Sequence, residues 1–181
     1  MTVWHLLSQS ARQFAEQPAQ VRRPFSRHIF GTGARWMFGQ LPPAGPALAS
    51  EFSEQTNFTF YGSLKYGGSL LAALLVAGAL VKLRWWPLLP LAGLAFYLVE
   101  VHLLFLFPLL LDRVAHPLCR SVQATYRVGL LRALGWTLVI AAYMLTGLLA
   151  WRQPWRRWHV GCLAVTRWYH EEIRAWARRQ L

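Results

Sequence analysis

Glu100 and His102 are the residues of this chain best placed to do chemistry, because both lie well inside an apolar run from Trp86 to about Leu111. Holding a carboxylate at the centre of a membrane-spanning helix costs about 2.5–3.5 kcal/mol on insertion scales, so such a residue faces a partner helix, a cavity or a functional group. Read as a neutral carboxylic acid, Glu100 can donate one hydrogen bond and accept others. Tyr97, one turn earlier on the same face, and Tyr143 or Thr146 on a later apolar run are the candidate partners. Residues two apart lie about 200° apart around a helix, so Glu100 and His102 are not a ready-made acid–base couple. His102 alone could ligate a haem or a chlorophyll-type pigment. A bis-histidine haem, however, needs a second histidine at matching depth, and the other apolar runs contain none. His116, about four turns further on, is a third catalytic candidate and falls near the surface.

The patterns that mark common enzymes are missing. The sequence has no HExxH, no phosphate-cradling loop and no nucleophile elbow. His170, Glu171 and Glu172 are adjacent but have no metal-ligand spacing, and they read as polar helix surface. Cys119 and Cys162 form no CxxC and read as inert thiols. No metal or other cofactor is expected.

The elements that must carry Glu100 and His102 follow from the distribution of charge. Hydrophobic residues make up 55% of the 181 and charged residues only 14%, against about 25% in soluble domains. The apolar residues are bunched into runs of membrane-spanning length. This predicts an all-α integral membrane protein with spans at about 67–83, 86–111 and 133–151, together forming a domain over 67–151. Lys65 and Lys82 can snorkel to lengthen the first span. The short link Lys82-Leu83-Arg84-Trp85-Trp86-Pro87 makes the first two spans an antiparallel hairpin, and Pro108 should kink the second or mark its exit. Ser69, Ala73 and Ala77 on the first span, and Ala142, Thr146 and Ala150 on the third, form small-residue stripes suited to close helix packing. Residues 1–66 read as an extramembrane region, with one amphipathic helix over about 3–16 and loop from Pro24 to Gly62.

The net charge is +12, almost all from arginine. Such a charge can mean nucleic acid, but here the basic residues flank the spans and mix with Trp, as at a membrane interface. Arg113, His116, Arg120, Gln123 and Arg127 share one face of the connector 112–132, with Val114, Leu118, Val122 and Tyr126 on another. A basic, Trp-rich amphipathic helix follows over 152–181. The residues expected to bind anionic lipid are Arg113, Arg120, Arg127, Arg152, Arg156, Arg157, Arg167 and Arg174. Together these features predict a small accessory or scaffold subunit of a membrane complex, whose partners are lipids and other membrane subunits and not nucleic acid. The alternative is a membrane-embedded enzyme or transporter acting on a lipid or hydrophobic substrate through Glu100 and His102. The expected location is a bacterial inner (plasma) membrane with the C-terminus cytoplasmic.

Overall fold

A computed structural model describes residues 2–16, 29–41, 52, 55–149 and 154–179. The described residues are mostly helical, with no strand among them. The helices are α1 (Val3–Glu16), α2 (Ile29–Gln40), α3 (Phe58–Lys82), α4 (Pro90–His102), α5 (Leu106–Leu111), α6 (Pro117–Val128), α7 (Leu130–Leu148), α8 (Pro154–Trp168) and α9 (Arg174–Arg178). A 3-10 turn, Trp86–Leu88, leads into α4, and a π turn, Tyr169–Ile173, joins α8 to α9. Among the described residues, three stretches are long and apolar enough to cross a membrane: Phe58–Lys82, Trp86–Leu111 and Leu130–Gly147.

α3 begins well before the expected span. Asn57 caps it, its Oδ1 accepting the Phe60 N–H at 2.9 Å. The aromatic residues ahead of the apolar run are therefore the first turns of the spanning helix. Residues 29–40, expected as loop, are helix α2. Local propensity favours a loop at Gly31-Thr32-Gly33, and tertiary packing overrides it. Phe30 stacks on Tyr66 and Phe107 at 5.8 and 6.1 Å, and Ala34 is fully buried. Gly62 on α3 makes room for the Phe30 ring, since a Cβ there would stand 2.6 Å from it. Of the rest of the expected loop, residues 24–28, 42–51, 53 and 54 lie outside the described residues.

The second span is broken between His102 and Leu106. Pro108 accounts for this, because its ring excludes a helical bond to the carbonyl four residues earlier, that of Leu104. α5 then buries all six of its residues. α6 starts at Pro117, which suits the first helical position where no N–H is needed. Its inward face is Ser121, Ala124 and Thr125, small enough for close approach, and Thr125 Oγ1 donates to the Val101 carbonyl at 2.8 Å.

Residues 154–178 are helical as expected but do not leave the bundle. They fold back along α7. Arg157 meets Thr146, Gly161 meets Met144, Trp168 packs on Trp136 at 4.6 Å, and Arg132 pairs with Glu172. One series of positions rises as the other falls, so the two helices are antiparallel over about 22 Å at 1.5 Å per residue. Gly161 permits the contact, since a Cβ there would run into the Met144 side chain. The far end reaches Asp112, where the second span ends. This has a testable consequence for topology. In a sealed-vesicle assay, Ala175→Cys should be labelled from the same side as the native Cys119, and Leu83→Cys from the other. Labelling of Ala175→Cys together with Leu83→Cys would place the C-terminal helix on the far surface and contradict the fold-back.

Candidate functional site

Among the described residues Glu100 meets a lysine and none of the expected hydroxyls. Its Oε1 lies 3.5 Å from Lys65 Nζ, and the two side chains are only 14% and 6% exposed. Lys65 was expected to snorkel outward. It points inward because Gly62, Lys65 and Ser69 share the face of α3 that is turned to the protein, while Leu70, Leu71, Leu74 and Leu75 face out. Ser69 Oγ donates to the Lys65 carbonyl at 2.9 Å, and the Tyr66 ring stands 5.2 Å from Nζ, adding a cation–π contact. Of the hydroxyls expected to serve Glu100, Thr146 donates to the Tyr143 carbonyl and accepts from Arg157, both at 2.7 Å.

His102 faces α6 instead. Its Nδ1 lies 2.6 Å from the Leu98 carbonyl. A carbonyl only accepts, so Nδ1 carries the proton and Nε2 accepts from the Tyr126 hydroxyl at 3.3 Å. Glu100 and His102 therefore engage different helices, and a haem or pigment on His102 would have to displace one of these bonds. His116 is exposed, in the left-handed conformation that opens α6, and it joins neither residue in a common site.

A second charged centre forms around Asp112, which no sequence pattern singles out. Asp112 receives Arg174 through two 2.8 Å bonds, from Nε and from Nη2, and the Tyr169 hydroxyl at 2.8 Å. Asp112 and Arg174 side chains are each 7% exposed. Arg174 is thus no lipid ligand: its guanidinium is enclosed in the protein. Beside this centre Arg132 pairs with Glu172 through bonds of 2.9 and 2.7 Å, and its guanidinium lies 4.3 Å from the centre of the Trp136 ring. The π turn sits between Trp168 and Arg174, and it directs both Tyr169 and Arg174 to Asp112.

The other arginines expected at lipid divide. Arg113, Arg127 and Arg156 are exposed, and Arg127 lies over Trp176 at 5.7 Å. Arg120 Nη1 donates to Gln123, Arg157 to Thr146 and Arg167 to Gln9. Arg152 and Ala150 lie outside the described residues. The stripe of Ser69, Ala73 and Ala77 is turned inward, with Ser69 fully buried, whereas Ala142 and Thr146 are exposed, Thr146 with its hydroxyl on Arg157 of α8.

A cavity of about 300 Å³ opens between α1, α2 and α8, with Gln13, Gln40, Thr166, Arg167, His170 and Glu171 on its walls. Gln13 bridges it, donating to both the carbonyl and the side chain of Gln40. Nearby, His159 sits between Phe14 and Trp36, at 5.8 and 5.0 Å. Burial there lowers its pKa, partly offset by its bond to the Trp155 carbonyl. Among the described residues no three His, Cys, Asp or Glu side chains are grouped to hold a metal ion. Compared with known protein families, curated proteins and solved structures, the chain matches none of them, so a functional reading rests on its own geometry.

Proposed function

We propose that this protein is a structural subunit of a membrane complex, placed in a bacterial inner membrane and gripping anionic lipid and partner helices, not an enzyme. The observation that carries the reading is that its buried charges are spent on one another. Glu100 goes to Lys65, Asp112 to Arg174 and Tyr169, and both nitrogens of His102 are engaged. Among the described residues, the cavity between α1, α2 and α8 is lined by none of these groups. The outward faces of α3 and α7, by contrast, are continuous apolar surfaces, with Leu70, Leu71, Leu74 and Leu75 on one and Leu131, Leu138 and Leu145 on the other. Lipid and neighbouring membrane helices are the surroundings such faces require.

The fold-back also bears on orientation. It places the end of residues 154–178 with the connector, so Arg113, Arg120, Arg127 and Arg132 share a side with the C-terminal arginines. Basic residues near span ends concentrate on the cytoplasmic side, and we assign that side to the connector and the C-terminus.

The reading is tested by isolating the protein from its native membrane with a mild detergent and a short cross-link. A stoichiometric membrane partner is the expected result. A stable monomer that turns over a lipid or moves an ion would overturn it and favour the transporter or enzyme reading. That second reading draws on one observation, the Lys65–Glu100 pair, since charged residues inside a span often mark transport paths.

A further inference from the structure

We propose that the turn between α3 and α4 is an anchor for anionic phospholipid headgroups, with Arg84 and Lys82 on the phosphates and Trp85 and Trp86 at the level of the headgroups. It rests on the reading of α3 and α4 as membrane-spanning. The turn is a fully formed helix stop. Trp85 N–H bonds the Leu80 carbonyl at 2.9 Å, and Arg84 N–H bonds the Val81 carbonyl at 3.0 Å. These are the two bonds of a Schellman ending.

The residue after the cap in that ending is left-handed, and glycine is its usual occupant because it has no Cβ to clash. Here it is Arg84, with φ 60°. The fold would be more relaxed with glycine, so the guanidinium at this position needs a reason outside the fold. The same substitution recurs at the end of α5. There Arg113 has φ 53°, and Val114 and Arg113 donate to Leu109 and Leu110 at 3.0 and 3.1 Å. α3 and α5, the helices that close the first span and the second, thus each end on an arginine where glycine is the norm.

The surroundings indicate the partner. Leu83, Trp85 and Trp86 are each more than half exposed, and Lys82 and Arg84 are exposed beside them. The sequence has no Asp or Glu from 55 to 99, so the tip carries two positive charges and no local acid to pair them. Guanidinium and ammonium groups beside tryptophans, at the end of apolar helices, complement phosphate at a membrane surface. A favourable interaction with the α3 dipole does not require Arg84, because Lys82 already lies in the last turn.

The test uses the full chain with Cys119→Ser and Cys162→Ala, a dansyl group on Leu88→Cys, and phosphatidylcholine vesicles. Quenching is compared between spin-labelled phosphatidylglycerol and spin-labelled phosphatidylcholine. The tip should prefer phosphatidylglycerol several-fold, since each basic residue at the surface contributes about fivefold. Lys82→Gln with Arg84→Gly should abolish the preference without lowering the thermal midpoint. Lys82→Gln with Arg84→Asn, which also tolerates the left-handed turn, should do the same. A label on Ala175→Cys is the control: its quenching by the two lipids should be the same in both variants as in the parent. Equal quenching by the two lipids in the parent, or selectivity that survives both variants, would overturn the anchor while leaving the hairpin in the membrane. Absence of quenching by either lipid would instead remove the hairpin from the membrane and the anchor with it.

Discussion

Asp112→Asn should destabilise the protein by about 3–5 kcal/mol, because it removes the carboxylate charge with which the enclosed Arg174 guanidinium is paired. The basis is geometric. Two charge-assisted bonds at 2.8 Å join side chains that are each 7% exposed, and Tyr169 occupies the remaining lobe of the carboxylate. Arg174→Met should have a comparable effect, by leaving Asp112 with Tyr169 alone. The pair Asp112→Leu with Arg174→Met should recover most of the loss, since replacing a buried ion pair with apolar groups is often neutral. Tyr169→Phe should cost only about 1 kcal/mol, the net worth of one hydrogen bond. Denaturant unfolding of the detergent-solubilised chain measures all four. The damage should also be local: a lost Asp112–Arg174 pair should free the C-terminal helix from the connector and raise proteolysis within 169–179. An Asp112→Asn variant as stable as its parent would mean that the fold-back is held by apolar packing and that the ion pair adds nothing.

The spans were legible because hydropathy is a local property. A run such as 133–151 announces itself whatever surrounds it, and the kink in the second span follows from Pro108 alone. What escaped was held by partners distant in sequence. Helix α2 looked like loop because glycines at 31 and 33 weaken it. It forms because Phe30 finds a glycine on α3 to lie against. Residues 154–178 looked like a surface helix because their arginines and glutamates are numerous. Those charges are answered from elsewhere, Arg174 by Asp112, Glu172 by Arg132 and Arg167 by Gln9. No periodicity within the segment encodes such answers. Lys65 is the one miss with a usable signal. In an antiparallel hairpin turning at Arg84, Lys65 lies 19 residues before the turn and Glu100 lies 16 after it, within one helical turn of matching depth, so the lysine falls near the glutamate.

That pairing reverses the expected behaviour of Glu100. Had it met a tyrosine or a threonine, Glu100→Gln would be nearly silent, because the amide keeps a donor and an acceptor. Facing Lys65, the same change strands an ammonium that is 6% exposed. The expected cost is about 2.5–3.5 kcal/mol, that of a lone charge held deep in a span. Lys65→Met should cost about as much, and Lys65→Met with Glu100→Leu should return to within about 1 kcal/mol of the parent. The pair fixes the hairpin's register more than its stability, since sliding α3 along α4 by one residue would separate the charges. Disulfide trapping across the hairpin should therefore show one register in the parent and several in the apolar double variant. Two results would sink this account. Additive losses in the double variant would mean that Lys65 and Glu100 are not coupled. A double variant that folds and assembles normally, yet abolishes a proton- or substrate-dependent activity of the intact complex, would make the pair part of a working site rather than a clasp between helices.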